Sequence, residues 1–295
     1  MSIIASTVLP IILLQIGPNP MFGQIEDHSA MVQDRPPREP RQQELDFAQP
    51  DPAALIGAKD DGWLTNCLEL VETDPARAHV QAQLRRSETS GADQVVANYC
   101  LGLAAINLEL FEDALSAFTS ARDDTDQSEL SLRARFGIMA GNAALADQRQ
   151  QHAAILLSEA ERDAEAAGNG RLAAFAALDQ ARILVARGET AQAETKLAAA
   201  TRLDPQSAEA WLLSATLMRR LERLVEAQQM IEQASILSPS DPDIALEAGV
   251  IAVLSGGDDA ARSSWNSVID LAPDSPQADA ARAYLAQLAG TAPSP

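Results

Sequence analysis

Apolar positions in the second half of the chain recur at helical spacing, and the recurrence itself repeats every 34 residues. From Glu209 to Pro239, Trp211, Ser214–Ala215 and Met218 fall on one face of a first helix, and a polar turn follows. Ala227, Ile231 and Ala234 then mark one face of a second helix, and Pro239 closes the unit. The next block repeats this with Ala245, Ala248–Gly249, Ala252, Ala261, Trp265, Val268 and Pro273. The preceding block does so with Ala177, Gln180–Ala181, Leu184, Ala193, Leu197, Ala200 and Pro205, departing at Gln180, where an aliphatic residue belongs. Spacings of three, four and seven residues predict amphipathic helices, and a fixed period of this length predicts stacked hairpins.

Each patterned position has a packing reason. Small residues in the first helix (Ala181, Ala215, Gly249) let the two helices of a hairpin approach, and Ala193, Ala227 and Ala261 sit where they cross. A larger side chain four positions on (Leu197, Ile231, Trp265) fills the space beside that contact. The Asp-Pro or Ser-Pro pair is expected to stop one helix and start the next, since proline cannot donate a hydrogen bond to the preceding turn yet suits an early helical position. Upstream the closing proline is lost but the register survives. Leu101–Gly102, Ala105, Ala114, Phe118 and Ala121 fit one unit; Ala140–Gly141, Ala144, Ala153, Leu157 and Ala160 fit another. The Gly102–Gly141 and Gly141–Ala181 spacings are 39 and 40 residues, with the extra residues assigned to DDTDQSEL and EAAGNGRL. Five repeats are thus expected over 93–273, followed by a capping helix over 274–289 and a short tail over 290–295. A further helical pair, Asp61–Glu72 and Asp74–Arg86, reads as a degenerate repeat or N-terminal cap within 58–92.

The pattern W-x2-L-G-x2-Y…A-x3-F…A…P, matched most fully from Ala177 to Pro273, resembles the tetratricopeptide repeat (TPR) family. The resemblance implies an all-α solenoid, a right-handed superhelix of antiparallel helix pairs, acting as a non-enzymatic scaffold for another protein. In that family the first helices of the hairpins line a concave face. Carried onto this chain, that face holds Tyr99, Arg135, Asn142, Leu178, Arg182, Leu212, Arg219, Arg220 and Leu246. A peptide or helix of a partner would bury apolar side chains there, and the arginines would grip its carboxylates through their planar forks of donors. The alternative pairing for these arginines is with acidic neighbours in the chain. Some family members clamp a C-terminal carboxylate with Lys and Asn; the lysines are absent at these positions here. A second role for such a solenoid is that of a structural subunit of an envelope assembly, using the convex face or the ends.

Composition narrows the reading. The 295 residues are 46% hydrophobic but only 4% aromatic, with alanine prominent, which suits closely packed helices. A formal net charge of −20 repels phosphate backbones and anionic membrane surfaces, arguing against nucleic-acid binding. Lys59 and Lys196 are the only lysines; every other basic residue is arginine. Residues 1–17 contain the apolar run IIASTVLPIILLQI, too short to span a membrane comfortably and of a length that suits the core of a secretory signal or an anchor. No basic residue precedes it and no A-x-A site follows. Residues 18–57 read as a proline-rich linker. The expectation is a bacterial protein of the periplasm or cell envelope, with the cytoplasm as the alternative, and with membrane association only through an uncleaved N-terminus. Cys67 and Cys100 are the only cysteines, one in the N-terminal hairpin and one in the first repeat. In an exported chain they suit a disulfide, and in a reducing one two buried thiols; both readings stand. His28, His79 and His152 do not cluster, and no nucleophile elbow, phosphate loop or zinc motif occurs, so neither enzyme activity nor a cofactor or metal is expected.

Overall fold

Alanine-lined stripes decide how the helices of this chain meet. The computed structural model describes residues 62–290; the apolar segment, the proline-rich stretch and the last five residues lie outside them. The described residues form thirteen α-helices and no strand. Helices α1 (Trp63–Thr73) and α2 (Pro75–Glu88) make a first hairpin. Five more follow: α3 (Ala92–Asn107) with α4 (Phe111–Asp124), α5 (Leu130–Ala146) with α6 (Gln150–Ala166), and α7 (Gly170–Ala186) with α8 (Thr190–Leu203). Then come α9 (Ala208–Arg220) with α10 (Leu224–Leu237), α11 (Pro242–Leu254) with α12 (Asp258–Leu271), and a last helix, α13 (Pro276–Gly290). We refer to the first helix of each hairpin as its A helix and to the second as its B helix.

In the last three hairpins the B helix buries one narrow stripe. In α8 it is Ala193, Leu197 and Ala200; in α10, Ala227, Ile231 and Ala234; in α12, Ala261, Trp265 and Val268. The A helices are covered far more completely, because each packs both on its own B helix and on the preceding one. Helix α7 buries an unbroken run from Leu172 to Ala181, and α11 buries Asp243 and Glu247 along with its apolar residues.

Residue sizes at the A–B contact are complementary from repeat to repeat. A Cβ added to Gly102 would lie 2.3 Å from the Phe118 ring, one on Gly141 would lie 2.7 Å from Leu157, and one on Gly249 would lie 2.2 Å from Trp265 Nε1. Where the A helix carries Ala181 or Ala215, the facing B residue is Leu197 or Ile231, smaller than Phe118 and Trp265. Trp265 cannot yield readily: its Nε1 donates to the Leu246 carbonyl at 3.3 Å, and its ring lies 5.2 Å from that of Tyr284 on α13. Gly249→Ala is therefore expected to destabilise the protein by about 1–3 kcal/mol through overpacking, despite alanine's better helix propensity. Adding Trp265→Leu should restore much of that in thermal denaturation, by recreating the pairing of Ala181 with Leu197.

The prolines do only half of what their spacing suggested. Pro205, Pro239 and Pro273 follow the C-caps Asp204, Ser238 and Ala272, so they do stop helices. None of them starts the next. That role falls to a second series at the same period, Ser207, Asp241 and Ser275, whose side chains accept from Ala210 N at 3.2 Å, Asp243 N at 2.9 Å and Ala278 N at 3.1 Å. The turns inside the hairpins are equally regular. Glu109, Gln148, Gly188, Glu222 and Gly256 all take positive φ at the equivalent position, which closes the turn but strains the three that are not glycine. The longer spacing of the upstream repeats is taken up by 17-residue helices α5, α6 and α7 and by a loop after α4. Arg133 pins that loop, donating to the carbonyls of Arg122 (2.9 Å) and Thr125 (3.2 Å).

The departure at Gln180 also has a structural reason. Its amide donates to Glu161 Oε2 at 2.8 Å and to the Leu157 and Ala176 carbonyls, and Glu161 also receives Lys196 from α8. An aliphatic residue at 180 would remove a donor from a carboxylate that is 8% exposed.

Candidate binding face

Five hairpins in register present five A helices side by side, and equivalent positions form rows across them. One row, four residues after the small contact residue, reads Ile106, Leu145, Val185, Arg219 and Val253. Its first three members are partly exposed. Another carries Leu103, Asn142, Arg182, Thr216 and Val250.

The expected face residues divide into two groups. Tyr99, Leu178, Leu212, Arg219 and Leu246 are buried, and Tyr99, Leu178 and Leu212 belong to the hydrophobic core. Arg135, Asn142 and Arg182 are partly exposed, and Arg220 is exposed. The large apolar residues expected to meet a partner thus build the solenoid instead, because A helices pack on both flanks. What remains accessible is mainly polar, edged by Ile106, Leu145 and Val185.

The arginines need a similar correction. Arg182 is paired with Asp179, one turn back on α7, and with Glu209 on α9 at 2.9 Å. Arg219 Nε donates to Glu247 on α11 at 2.6 Å, with both side chains at most 4% exposed. These two arginines already hold carboxylates of the chain, the alternative that the sequence left open for them. The pairs belong to a polar ladder along the A helices. Asn142 on α5 bonds Asp179 on α7, and Asp243 on α11 accepts from Gln277 on α13 at 3.0 Å. Each rung fixes one A helix against the next. Burial pushes the Asp179 carboxyl upward against the pull of Arg182 and Asn142. Burial likewise pushes the Tyr99 phenol up to about 12, partly opposed by the charge of Arg135. Sequence reasoning missed Asp179, Glu209 and Glu247 as partners. The available signal was an acidic residue 27 or 28 positions after each arginine, where the next A helix faces it.

At the other end of the series, Cys67 on α1 and Cys100 on α3 form a disulfide, with Cα atoms 6.3 Å apart and both residues buried. Beside it, Asn107 Nδ2 donates to the Val71 carbonyl at 3.0 Å, so two links tie the N-terminal hairpin to the first repeat. A shallow hollow at the hairpin-turn edge holds Arg149 and Arg187, but these pair with Glu112 (2.9 Å) and Gln151 (3.2 Å) of the preceding hairpins. Among the described residues no cluster of three or more His, Cys, Asp or Glu is placed to hold a metal, and no helix is long and apolar enough to cross a membrane.

The comparisons agree with this geometry. The family model for the tetratricopeptide repeat matches residues 184–249. No curated protein matches the chain in sequence. Among solved structures, pilF of Pseudomonas aeruginosa is 17% identical, with 77% of this chain and 96% of that one covered at a TM-score of 0.59. BtubC (BKLC) from P. vanneervenii is also 17% identical, over 79% of this chain and 93% of its own, at 0.53. A tetratricopeptide repeat protein from Parabacteroides merdae is 16% identical, over 64% of this chain and 71% of that one, at 0.52. At these identities the likeness carries the fold. The described residues share the all-α solenoid fold of these structures, and residues 184–249 match the tetratricopeptide repeat.

Proposed function

We propose that the solenoid holds a segment of a partner protein along the exposed edge of its A helices. The observation that carries this is the contrast in exposure along the A helices: Arg219 is buried against a carboxylate of the chain, whereas Arg220 is exposed and Arg135, Ile106, Leu145 and Val185 are partly exposed. A segment with apolar anchors and carboxylates fits such a surface, and two arginine–carboxylate contacts give it orientation. The Cys67–Cys100 disulfide favours an oxidising compartment, such as a bacterial periplasm, as the place of action. No catalytic step is assigned. Structural use of the B-helix face is the second reading, favoured by the exposed Val225, Ile236 and Ile155.

The test is charge reversal. Arg135→Glu with Arg220→Glu should reduce partner co-purification by at least about tenfold, given roughly 1.5–3 kcal/mol for each lost charged contact. The far-ultraviolet circular dichroism spectrum should still show the helical fold, so that the loss reports on the face. Full recovery of the partner with the reversed charges would remove the A-helix edge from consideration and favour the B-helix face.

A further inference from the structure

Among the large apolar side chains that stand exposed, Val80 (64%) and Leu84 (59%) lie one turn apart on α2. Arg77 precedes them by three and seven residues, so the three share one exposed face of that helix. In a chain of net charge −20, α2 is locally basic: it carries Arg77, Arg85 and Arg86 against Glu88 alone. Arg85 lies over the Trp63 ring and faces Asp93 at 3.9 Å. The Arg77 and Arg86 guanidinium groups have no carboxylate partner among the described residues. The complement of such a face is an apolar side chain flanked by carboxylates.

The opposite end of the solenoid carries that complement. Where α12 gives way to α13, Leu271 is 43% exposed, and Asp270 and Asp274 are exposed beside it. Neither carboxylate has a cationic partner among the described residues. Between Arg223 and Arg282 the only basic residue is Arg262, against ten carboxylates, and Arg262 is held by Asp259 at 3.2 Å. Near the other exposed apolar residues the carboxylates are taken. Glu112, Glu159, Glu226 and Glu232 already hold Arg149, Arg122, Arg223 and Gln228. The corner at Leu271 therefore sets an apolar side chain beside acidic groups that the chain itself does not neutralise.

We infer that α2 of one copy docks on the α12–α13 corner of a second copy, with Val80 and Leu84 against Leu271 and with Arg77 near Asp270 and Asp274. The two surfaces differ, so the contact is head-to-tail, and each pair keeps one free surface of each kind to which further copies add. Like net charge does not forbid it. The Debye length is about 8 Å at physiological ionic strength, so charges away from the contact are screened and the local pairing decides. A contact of this extent belongs to the weak, reversible class. Its consequence is a row of A-helix edges in series, which a partner with repeated segments engages with avidity. The inference goes beyond the reading of that edge and does not depend on it.

Sedimentation equilibrium of the full chain tests it. The average mass of wild type should rise with concentration. Leu84→Glu removes an apolar anchor and sets a carboxylate against the acidic corner, so it should weaken association at least about tenfold. Asp270→Lys with Asp274→Lys should weaken it similarly from the other side, by opposing Arg77. All three positions are exposed, and circular dichroism should show the helical fold in both variants. An equimolar mixture of the two should associate again, because each variant supplies the surface that the other has lost. Wild type that stays monomeric at every concentration would overturn the inference. Association of the Asp270 and Asp274 variant at wild-type strength would overturn the corner, and a mixture no better than its components would overturn the head-to-tail contact.

Discussion

Arg219→Ala is expected to lower stability by about 3–5 kcal/mol, the range for leaving a buried charge without its partner. For a domain of this size that corresponds to a fall of roughly 6–20 °C in Tm. Read from the sequence, Arg219 belongs to the concave face, where it would grip a partner's carboxylate. The structure reverses that expectation, because its guanidinium lies against Glu247 at 2.6 Å, with side-chain exposures of 4% and 2%. The loss comes mainly from the orphaned Glu247 carboxylate. Replacing both partners, Arg219→Met with Glu247→Leu, should therefore recover most of it, since an apolar pair of similar volume substitutes well for a buried ion pair. An Arg219→Ala melt indistinguishable from wild type would show that the pair does not form.

The second large effect concerns the disulfide. Cys67 and Cys100 close a loop with a sequence separation of 33, and loop closure of that length contributes about 3–4 kcal/mol. Cys67→Ser should lower stability accordingly, and a reductant should do the same to wild type while leaving the variant unaffected. In a solenoid each unit contacts mainly its neighbours, so the loss should be local. Hydrogen exchange should quicken in α1, α2 and α3 and remain unchanged in α11 to α13. Wild type that melts identically with and without reductant would rule out the bond in solution.

Much of the architecture could be read from the chain because the B helices obey a simple rule. In the last three hairpins they bury Ala, Leu and Ala, or an equivalent trio, on one stripe, so Ala193, Leu197 and Ala200 announce themselves. The A helices resist that reading. Flanked on both sides, α11 buries Asp243 and Glu247, and α9 buries Arg219; a rule that sends charge to the surface would expose all three. Only the pairing of one A helix with the next explains them, and that requires the repeat-to-repeat register in three dimensions. The capping residues were legible in principle. Ser207, Asp241 and Ser275 keep the 34-residue period as faithfully as the prolines do, but serine and aspartate are too frequent to stand out as proline does. Gln180 was visible as a departure, while its cause, Glu161 with Lys196, lies on two other helices. The cysteines left two readings open until the proximity of α1 and α3 joined them.

The measurement that bears most directly on the account is photo-crosslinking from two defined positions in cells that produce the protein. One variant carries p-benzoylphenylalanine in place of Arg220, on the exposed edge of the A helices. The other carries it in place of Ile236, which is 71% exposed on a B helix. The account predicts a discrete intermolecular product from position 220 and none from position 236. A product from position 236 alone would contradict it and move the binding surface to the opposite face of the solenoid.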